Sequence, residues 1–491
     1  MELPLNYSFC KHNKLILTNI ETTSTLHQCG EANLKVLANL QRFLKSKVIK
    51  KNYSQDEFEN LLTELYTDNK EEYDMSEFDD LNLEDIANAI SPSDDLLDDE
   101  NKGPIIRLIN ATITKAIKAR ASDIHLEPFE NKLSIRFRVD GVLREVLHYQ
   151  NTITQMLISR IKIMSRLDIS ERRVPQDGRI TISIGKRNVD LRVSTLPSSF
   201  GERVVLRILE KDKSQITLNE LGFSEGIRSN LRASLAKNEG IILVTGPTGS
   251  GKTTTLYAGL QEISDRTQNI LTIEDPVEYA LEGVGQTQVN NKTGLTFARG
   301  LRAILRQDPD IVMVGEIRDK ETAEIAIQSS LTGHLVLSTV HTNSAVNAIT
   351  RLRDMGIEPY LLSSSIIFVL SQRLVRKLCP HCKAIDTDAN IFAKKHGIKQ
   401  NIYRSVGCDK CEGTGYKGRL SIGECIKFDS KLSELIYNSA SEAELSNYVY
   451  QTSKKLFEDG LRVINDGETS IAELLRVSPA SYTHLRAHET E

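Results

Sequence analysis

The stretch "GPTGSGKT" (246–253) matches the pattern G-x-x-x-x-G-K-[ST] in full. It follows an apolar run, Ile241–Val244, and opens the helix-like segment "TTTLYAGLQEI" (253–263). In that strand–loop–helix order, the backbone N–H groups of a glycine-rich loop surround phosphate groups. The stretch therefore predicts a nucleotide-phosphate site, whose residues are Gly246, Pro247, Thr248, Gly249, Ser250, Gly251, Lys252, Thr253 and Thr254. A tight glycine turn without a ligand is the alternative.

Two side chains of this loop carry distinct chemistry. Lys252 is expected to reach the β- and γ-phosphates of a nucleoside triphosphate, and Thr253 is expected to ligate magnesium. Around the loop, residues 213–375 alternate helical stretches with short apolar runs, namely "GIILVTG", "NILTIED", "DIVMVGE" and "HLVLSTV". Near-continuous apolar runs are typical of strands buried in a parallel sheet. The pattern predicts a doubly wound α/β domain.

The run "DPDIVMVGEIRD" (308–319) departs from the usual ATPase pattern. A P-loop protein that hydrolyses nucleotides usually ends this strand with an aspartate, but Gly315 stands there and Glu316 follows. The stretch "LTIEDPVEY" (271–279) places Glu274 and Glu278 after a neighbouring strand, at the edge where open α/β sheets bind ligands. We expect these three glutamates to share the acidic role. An acidic surface loop is the alternative for 271–279.

Histidine and arginine side chains are the next candidates. In "HLVLSTVHTN" (334–343), only His341 lies at the carboxyl end of the strand, where it could sense the γ-phosphate; a packing role is the alternative. Arg299, Arg302 and Arg306 recur on one helix face. Two more arginines, Arg192 and Arg207, lie on strands of the preceding domain. These guanidinium groups could bind phosphates, also across a subunit boundary, or form ordinary surface salt bridges.

Four of the seven cysteines form two C-x-x-C pairs, Cys379/Cys382 and Cys408/Cys411. This spacing predicts a four-thiolate zinc site, which would be structural because it leaves no open coordination position. A redox dithiol is the alternative. We expect His381, between the first two ligands, to be a bystander.

The remaining chain divides by pattern. Its 491 residues are too many for one core. We predict a small N-terminal domain (1–70), an acidic linker (71–102), a middle α+β domain (103–212), the α/β domain (213–375), a zinc-binding four-cysteine subdomain (376–425), a helical region (426–477) and a non-native or disordered tail (478–491). The middle domain contains a predicted hairpin, "KLSIRFRVDGVLREV", with Asp140-Gly141 as its turn.

The distribution of charge and of apolar residues indicates where the chain contacts water and whether it could span a membrane. Residues 71–100 hold 13 acidic side chains and neither Lys nor Arg, which indicates a solvated linker or, alternatively, an acidic docking segment. The longest apolar runs are far too short to span a bilayer, and no secretory signal is expected. Any membrane role is therefore expected to depend on a partner.

These motifs, in this order, resemble the ATPases of type II secretion, type IV pilus assembly and DNA uptake. The strings "ASDIHLEPFE" (121–130), "RVPQDGRI" (173–180), "TIEDPVEY", "LRAILRQDPDIVMVGEIRD", "TGHLVLSTVHTN" and "CPHC…CDKCEGTGY" carry the resemblance, together with the P-loop, over 103 to about 475. Within this superfamily, "LPLNYSFCKHNKLIL" and "FENLLTELY" resemble the N-terminal domain of the type II secretion ATPases, the GspE family.

The resemblance implies a RecA-like ATPase core, a PAS-like middle domain, and the cofactors ATP, Mg²⁺ and Zn²⁺. It implies a homohexamer in the cytoplasm that drives pseudopilus assembly and protein export. Residues 1–70 would dock on the cytoplasmic part of an inner-membrane platform protein, which gives peripheral membrane association, and no nucleic acid is expected. By motif, Glu316 matches the Walker B acid of the family, and His334 and His341 match its histidine box. The residues that match the family's arginines are Arg192, Arg207, Arg302, Arg306 and Arg318.

Three other functions stay open at this point. A pilus-assembly or retraction motor and a DNA-transport ATPase belong to the same superfamily. A nucleotide-gated scaffold that does not hydrolyse ATP belongs to a different class. Measured ATPase activity separates the scaffold from the motors, and salt-sensitive DNA binding would favour DNA transport.

Overall fold

A computed structural model describes residues 14–20, 23–29, 48–54, 57, 58, 61, 102–184, 187–209, 216–398 and 401–478. The chain forms two compact units, Met1–Thr114 with Arg179–Leu191, and Lys115–Gly178 with Arg192–Glu491. The boundary runs through a helix and two strands of the predicted middle domain. The predicted linker up to residue 101, and the tail from 479, lie outside the described residues.

The first unit contains a three-stranded sheet within the predicted N-terminal domain. Its strands are β1 (Leu15–Ile20), β2 (Thr23–Cys29) and β3 (Val48–Tyr53), with β1 antiparallel and β3 parallel to β2. Leu15, Ile16, Leu17 and Leu26 are buried. Helix α1 (Lys102–Lys118) begins in this unit and continues into the second.

The region predicted as the middle domain contains a six-stranded sheet. Its strands are β4 (Ala121–Pro128), β5 (Lys132–Val139), β6 (Val142–Gln150), β7 (Gln176–Ile184), β8 (Arg187–Ser198) and β9 (Gly201–Leu209), in the order β6-β5-β4-β9-β8-β7. Helix α2 (Thr154–Met164) follows β6. The predicted hairpin is confirmed, because β5 pairs with β6 and both turn residues, Asp140 and Gly141, have positive φ.

The α/β region contains a seven-stranded sheet. Its strands are β10 (Gly240–Thr245), β11 (Ile270–Glu274), β12 (Val284–Gln288), β13 (Ile311–Val314), β14 (Leu335–Val340), β15 (Ile366–Leu378) and β18 (Tyr416–Lys427), in the order β12-β11-β13-β14-β10-β15-β18. Only β18 is antiparallel to its neighbour. Strands β10, β13 and β14 are buried throughout, which explains their continuous apolar runs.

Helices cover this sheet and bury two apolar clusters. They are α3 (Glu225–Leu235), α4 (Lys252–Ile263), α5 (Phe297–Ile304), α6 (Lys320–Leu331), α7 (Ala345–Asp354) and α8 (Pro359–Ser365). The predicted α/β fold class is thereby confirmed. Among the described residues, we found no helix with the length and apolar character that a bilayer crossing requires.

The cysteine-bearing region is joined to the same sheet. Strand β15 continues through the predicted boundary at residues 375 and 376, and its antiparallel partner β18 returns from the cysteines. Between them lie β16 (Ala384–Ile385), α9 (Asn390–His396) and β17 (Tyr403–Arg404). The predicted helical region contains α10 (Ser430–Tyr437), α11 (Glu442–Thr452), α12 (Leu456–Asn465) and α13 (Ile471–Val477).

Strand register determines where the site lies. Thr245 at the end of β10 is level with Val340 at the end of β14, and Val314 of β13 is level with Ile273 of β11. The loops that carry the predicted functional residues therefore leave one edge of the sheet together, as is usual for ligand sites of open α/β sheets.

Candidate functional site

The phosphate loop connects β10 to α4 through three glycines in unusual conformations. Gly246, Gly249 and Gly251 have φ values of 148°, 79° and 88°. A Cβ atom on Gly246 would lie 2.5 Å from Ser250 Oγ, so a side chain is excluded by packing as well as by backbone conformation. The loop can therefore turn its N–H groups inward over a short distance, as phosphate binding requires.

Lys252 lies over this loop. Its ammonium group donates hydrogen bonds to the carbonyl oxygens of Gly246 (3.0 Å) and Pro247 (3.2 Å). Burial lowers the pKa of Lys252, the nearby Arg373 lowers it further, and the carboxylate of Glu316 opposes both. The ammonium group is thus bonded to the loop carbonyls alone among the contacts of the described residues, and an anion in the loop would neutralise its charge.

Gly315 explains the missing aspartate. A Cβ atom at this position would lie 3.3 Å from Glu274 Cα and 3.3 Å from Ile273 O, both in the neighbouring strand β11. The N–H of Gly315 donates to Ile273 O at 2.8 Å, which holds the two strand ends together. A side chain at this position would therefore crowd the backbone of β11, and the acid follows one residue later.

Glu316 occupies the centre of a charged cluster. It pairs with Arg318, and one of its oxygens lies 3.4 Å from His341 Nε2. Burial lowers the pKa of His341, the positive charge of Lys252 lowers it further, and the contact with Glu316 opposes both, so the net shift favours the neutral imidazole at pH 7. The structure thus brings together three of the predicted site residues: Lys252, Glu316 and His341.

Glu274 lies in a different environment from Glu316. Its side chain is buried and accepts hydrogen bonds from Tyr257 OH, from Thr272 Oγ1 (2.6 Å) and from Gln286 Nε2 (3.1 Å). Burial and this carboxylate raise the pKa of Tyr257, which therefore stays protonated and donates. These bonds fit a positioning role, and a direct role for Glu274 in turnover stays a prediction.

Glu278 is exposed, and its backbone N–H donates to Tyr257 OH at 3.4 Å. His334 lies at the opposite edge of the sheet, where Nδ1 contacts Ser329 O at 2.9 Å. His341 is thus the histidine near the phosphate loop, as expected. The role of Glu278 stays a prediction.

The predicted arginines are dispersed. Arg207 donates from Nε to Asp123 Oδ1 at 2.9 Å, and Arg192 is half-buried on β8. Arg302 pairs with Glu321 at 2.6 Å, and Arg306 donates to Arg302 O. Of the predicted arginines, Arg318 has a direct contact with the Glu316 cluster, while phosphate roles for the others stay predictions.

Sequence reasoning missed two residues beside the loop, Gln372 and Arg373. Both lie in "SQRLVRKL" on β15, which looked like an ordinary strand. Arg373 donates to Asn343 O at 3.2 Å, and burial lowers its pKa. Adjacent polar residues inside an apolar strand were the available signal, because such residues need buried partners.

The four predicted cysteines converge. The Sγ–Sγ distances are 3.9 Å for Cys379–Cys408, 3.8 Å for Cys382–Cys411 and 3.7 Å for Cys408–Cys411. A tetrahedral zinc with Zn–S bonds of about 2.3 Å requires edges of about 3.8 Å, so the four thiols fit this ion. Although burial opposes ionisation, N–H donors from Cys408 and Gly415 lower the pKa of Cys411 to about 6.

The loop also fits the nucleotide and its metal. Ser250 Oγ is buried and has no hydrogen-bond partner in the described part of the chain. Thr253 lies in the first turn of α4, where the helix N-terminus favours anions. The glycines, the ammonium group and these two hydroxyls are the donor set that a magnesium–triphosphate complex needs.

Comparisons with known proteins place this arrangement among secretion proteins. The family described as "Type II/IV secretion system protein" matches residues 98–476, and the N-terminal domain family of "GSPII protein E" matches residues 3–66. The "Type II secretion system protein E" of Pseudomonas aeruginosa is 51% identical over 481 residues, which cover 96% of both chains. The "Type II secretion system ATPase E" of Vibrio cholerae is 50% identical, with 97% of both chains covered.

Solved structures show the same fold. The ATPase DotB of Legionella pneumophila has a TM-score of 0.57 at 22% identity, covering 76% of this chain and 95% of its own. The pilus retraction motor PilT with bound ADP has a TM-score of 0.51 at 25% identity, covering 75% and 96%.

Proposed function

Because this chain belongs to the type II secretion ATPase family and is thus a P-loop ATP hydrolase, we propose that it drives protein export as a motor of a type II secretion system. In this proposal, ATP hydrolysis powers assembly of the pseudopilus. The working form is a homohexamer at the cytoplasmic face of the inner membrane. The family and the ATP hydrolase predicted from the sequence are confirmed.

One observation carries the catalytic part of this proposal. The negative charge of Glu316 raises the pKa of Lys252, and the Glu316 carboxylate contacts His341 and Arg318. A carboxylate in this position can polarise the water that attacks the γ-phosphate in line. Neutral His341 can accept or donate one hydrogen bond, which suits a sensor of the γ-phosphate.

The remaining residues bind and orient. The loop N–H groups and Lys252 would hold the β- and γ-phosphates, and Thr253 would ligate magnesium. The magnesium ion that Thr253 would ligate would supply positive charge against the negative charge that develops on the phosphates during transfer. Glu274 would hold Tyr257 and the end of β11 in place. The four thiolates would hold a structural zinc ion, which supplies no open position for chemistry.

The N-terminal region supports the choice of secretion system. Residues 3–66 match the N-terminal domain family of GSPII protein E, which favours docking of residues 1–70 on the cytoplasmic part of a type II platform protein. Peripheral membrane association would follow from that contact. Nucleic acid is not needed as a partner.

A complementation experiment tests this function. Cells that lack their own type II secretion ATPase would receive the native chain or Lys252→Ala, and the secreted fraction of a type II substrate would be measured. We expect the native chain to restore export, and the variant to be made at the same level without restoring it. Equal export by both would contradict the motor proposal.

A pilus motor is the second candidate, favoured by the structural similarity to PilT. Capture of the full chain on cytoplasmic platform domains from a secretion system and from a pilus system distinguishes the two. We expect retention on the secretion platform alone. Preferential retention on the pilus platform would assign the chain to pilus assembly or retraction.

A further inference from the structure

Gln372 is a fully buried polar side chain that lies against the phosphate loop. It belongs to β15, next to Ser371, which is level with Thr245 at the end of β10. A buried carboxamide is costly unless its donors and acceptors are satisfied. Its position and burial therefore call for a reason beyond strand packing.

Both ends of this carboxamide are bonded to the loop and its helix. Nε2 donates to Ser250 O at 2.6 Å, and Oε1 accepts from Thr255 Oγ1 at 2.9 Å. The carbonyl of Ser250 can only accept, so the amide nitrogen must face it, and the amide oxygen then faces the hydroxyl. The orientation of Gln372 is thus fixed by its partners.

The backbone of Gln372 adds a second contact with the loop. A Cβ atom on Gly246 would lie 2.6 Å from Gln372 O, and one on Gly251 would lie 3.2 Å from Gln372 Nε2. One residue therefore packs against the first and the last glycine of the loop. This contact gives a structural reason for glycine at both positions.

We propose that Gln372 is a positioning residue that fixes the curvature of the phosphate loop and thereby the affinity for ATP. In a planar trans peptide, the C=O of Ser250 and the N–H of Gly251 point in opposite directions. Because Gln372 holds this carbonyl, the N–H of Gly251 is directed away from β15, toward the side where such loops bind phosphate. The inference rests on ATP hydrolysis by this chain and is independent of the secretion role.

The test uses three variants of the purified full chain. Gln372→Leu removes both hydrogen bonds at similar volume, and Gln372→Glu places an acceptor oxygen against Ser250 O and a negative charge beside the phosphates. Thr255→Val removes one bond and leaves the bond to Ser250. The matched control is Ser371→Ala, on the same strand, because Ser371 Oγ is buried without a hydrogen-bond partner among the described residues.

Fluorescent N-methylanthraniloyl-ADP gives Kd, and phosphate release gives KM and kcat. We expect Gln372→Leu to raise Kd and KM about tenfold, Gln372→Glu to raise them further, and Thr255→Val to raise them about threefold. Saturating ATP should restore kcat to within about twofold, a split that a merely structural defect would not give. The control should match the native chain.

Values of Kd and KM within about twofold of native for Gln372→Leu and Gln372→Glu would overturn the inference. An equal loss in Ser371→Ala would overturn it too, because the effect would then belong to strand packing. If the Gln372 variants fail to fold, Thr255→Val decides, and native affinity in that variant contradicts the proposal. If the native chain failed to restore protein export while the Gln372 variants showed the expected loss of nucleotide affinity, only the proposed secretion role would be contradicted.

Discussion

At the scale of single residues, Gly315 determines which acid serves the site. The close approach of β11 disfavours a side chain there, and the next residue, Glu316, contacts His341 and raises the pKa of Lys252. The sequence alone indicated that the acid lies at Glu316, one residue after the usual aspartate position. It could not show that the carboxylate of Glu274 is bonded to Tyr257, because that contact joins a strand to a helix that precedes it in the chain.

Glu316→Gln should lower kcat at least about 100-fold, because an amide cannot polarise the attacking water as a carboxylate does. Affinity for the nucleotide should fall little, since the loop and Lys252 remain. Phosphate release and fluorescent-nucleotide binding measure the two quantities. Glu324→Gln is the control, because the Glu324 side chain is half-exposed on α6 and pairs with Lys320. Native kcat in Glu316→Gln would assign the acid role elsewhere.

At the scale of elements, β15 connects the phosphate loop to the cysteine site. Gln372 contacts the loop, and the same strand leads to Cys379, while β18 returns from Cys411. Arg376 of this strand is held by the buried carboxylate of Glu473 at 2.7 Å. Helix α13 therefore packs against the strand that supports both sites.

Zinc removal should affect stability more than chemistry. The chain should contain about one zinc ion, and Cys382→Ser should lose it and unfold at a lower temperature, because the four thiolates close two loops through the ion. Metal analysis and thermal unfolding measure these effects, with Cys425→Ser as the control for loss of a thiol outside the cluster. If the native chain contained no zinc, and Cys382→Ser unfolded at the same temperature as the native chain, the zinc assignment would be contradicted.

The sequence predicted the helices, strands and turns that carry a motif. It did not predict how distant elements pair with one another in the fold. Strand–loop–helix order, the Asp140-Gly141 hairpin and the cysteine pairs are local patterns with known geometry. The antiparallel return of β18 and the contacts of Gln372 depend on residues far apart in the chain. No periodicity records such contacts, so they required the structure.

At the scale of the whole molecule, Arg207 is the predicted contribution of one subunit to its neighbour. Its side chain is 57% exposed and is paired with Asp123, whose side chain is buried. Such an exposed pair contributes about 0–1 kcal/mol. Arg138 lies 3.7 Å from the same carboxylate, so Asp123 would keep a cation if Arg207 turned to a phosphate, as we predict.

The middle region also contacts the strand that returns from the cysteines. Asp140, in the hairpin turn, accepts from Gly418 N at 3.1 Å and lies 3.4 Å from Arg419 Nε. Both contacts are made by the partly exposed side chain of Asp140, so few bonds need to break for this turn to separate from the strand. They are compatible with the closure over ATP that a ring motor requires.

The most direct measurement mixes two variants of the purified chain, Lys252→Ala and Arg207→Ala, and follows phosphate release. Each variant alone should be inactive, because the first cannot bind the phosphates and the second lacks the guanidinium supplied to the neighbouring site. In mixed rings, an Arg207→Ala subunit with an intact loop receives Arg207 from a Lys252→Ala neighbour. A one-to-one mixture should therefore recover about a quarter of native activity.

Recovery on mixing is the result that an ATP-hydrolysing ring predicts. Full activity of Lys252→Ala alone would contradict ATP hydrolysis at this loop. Inactive variants that stay inactive after mixing would contradict the sharing of Arg207 between subunits.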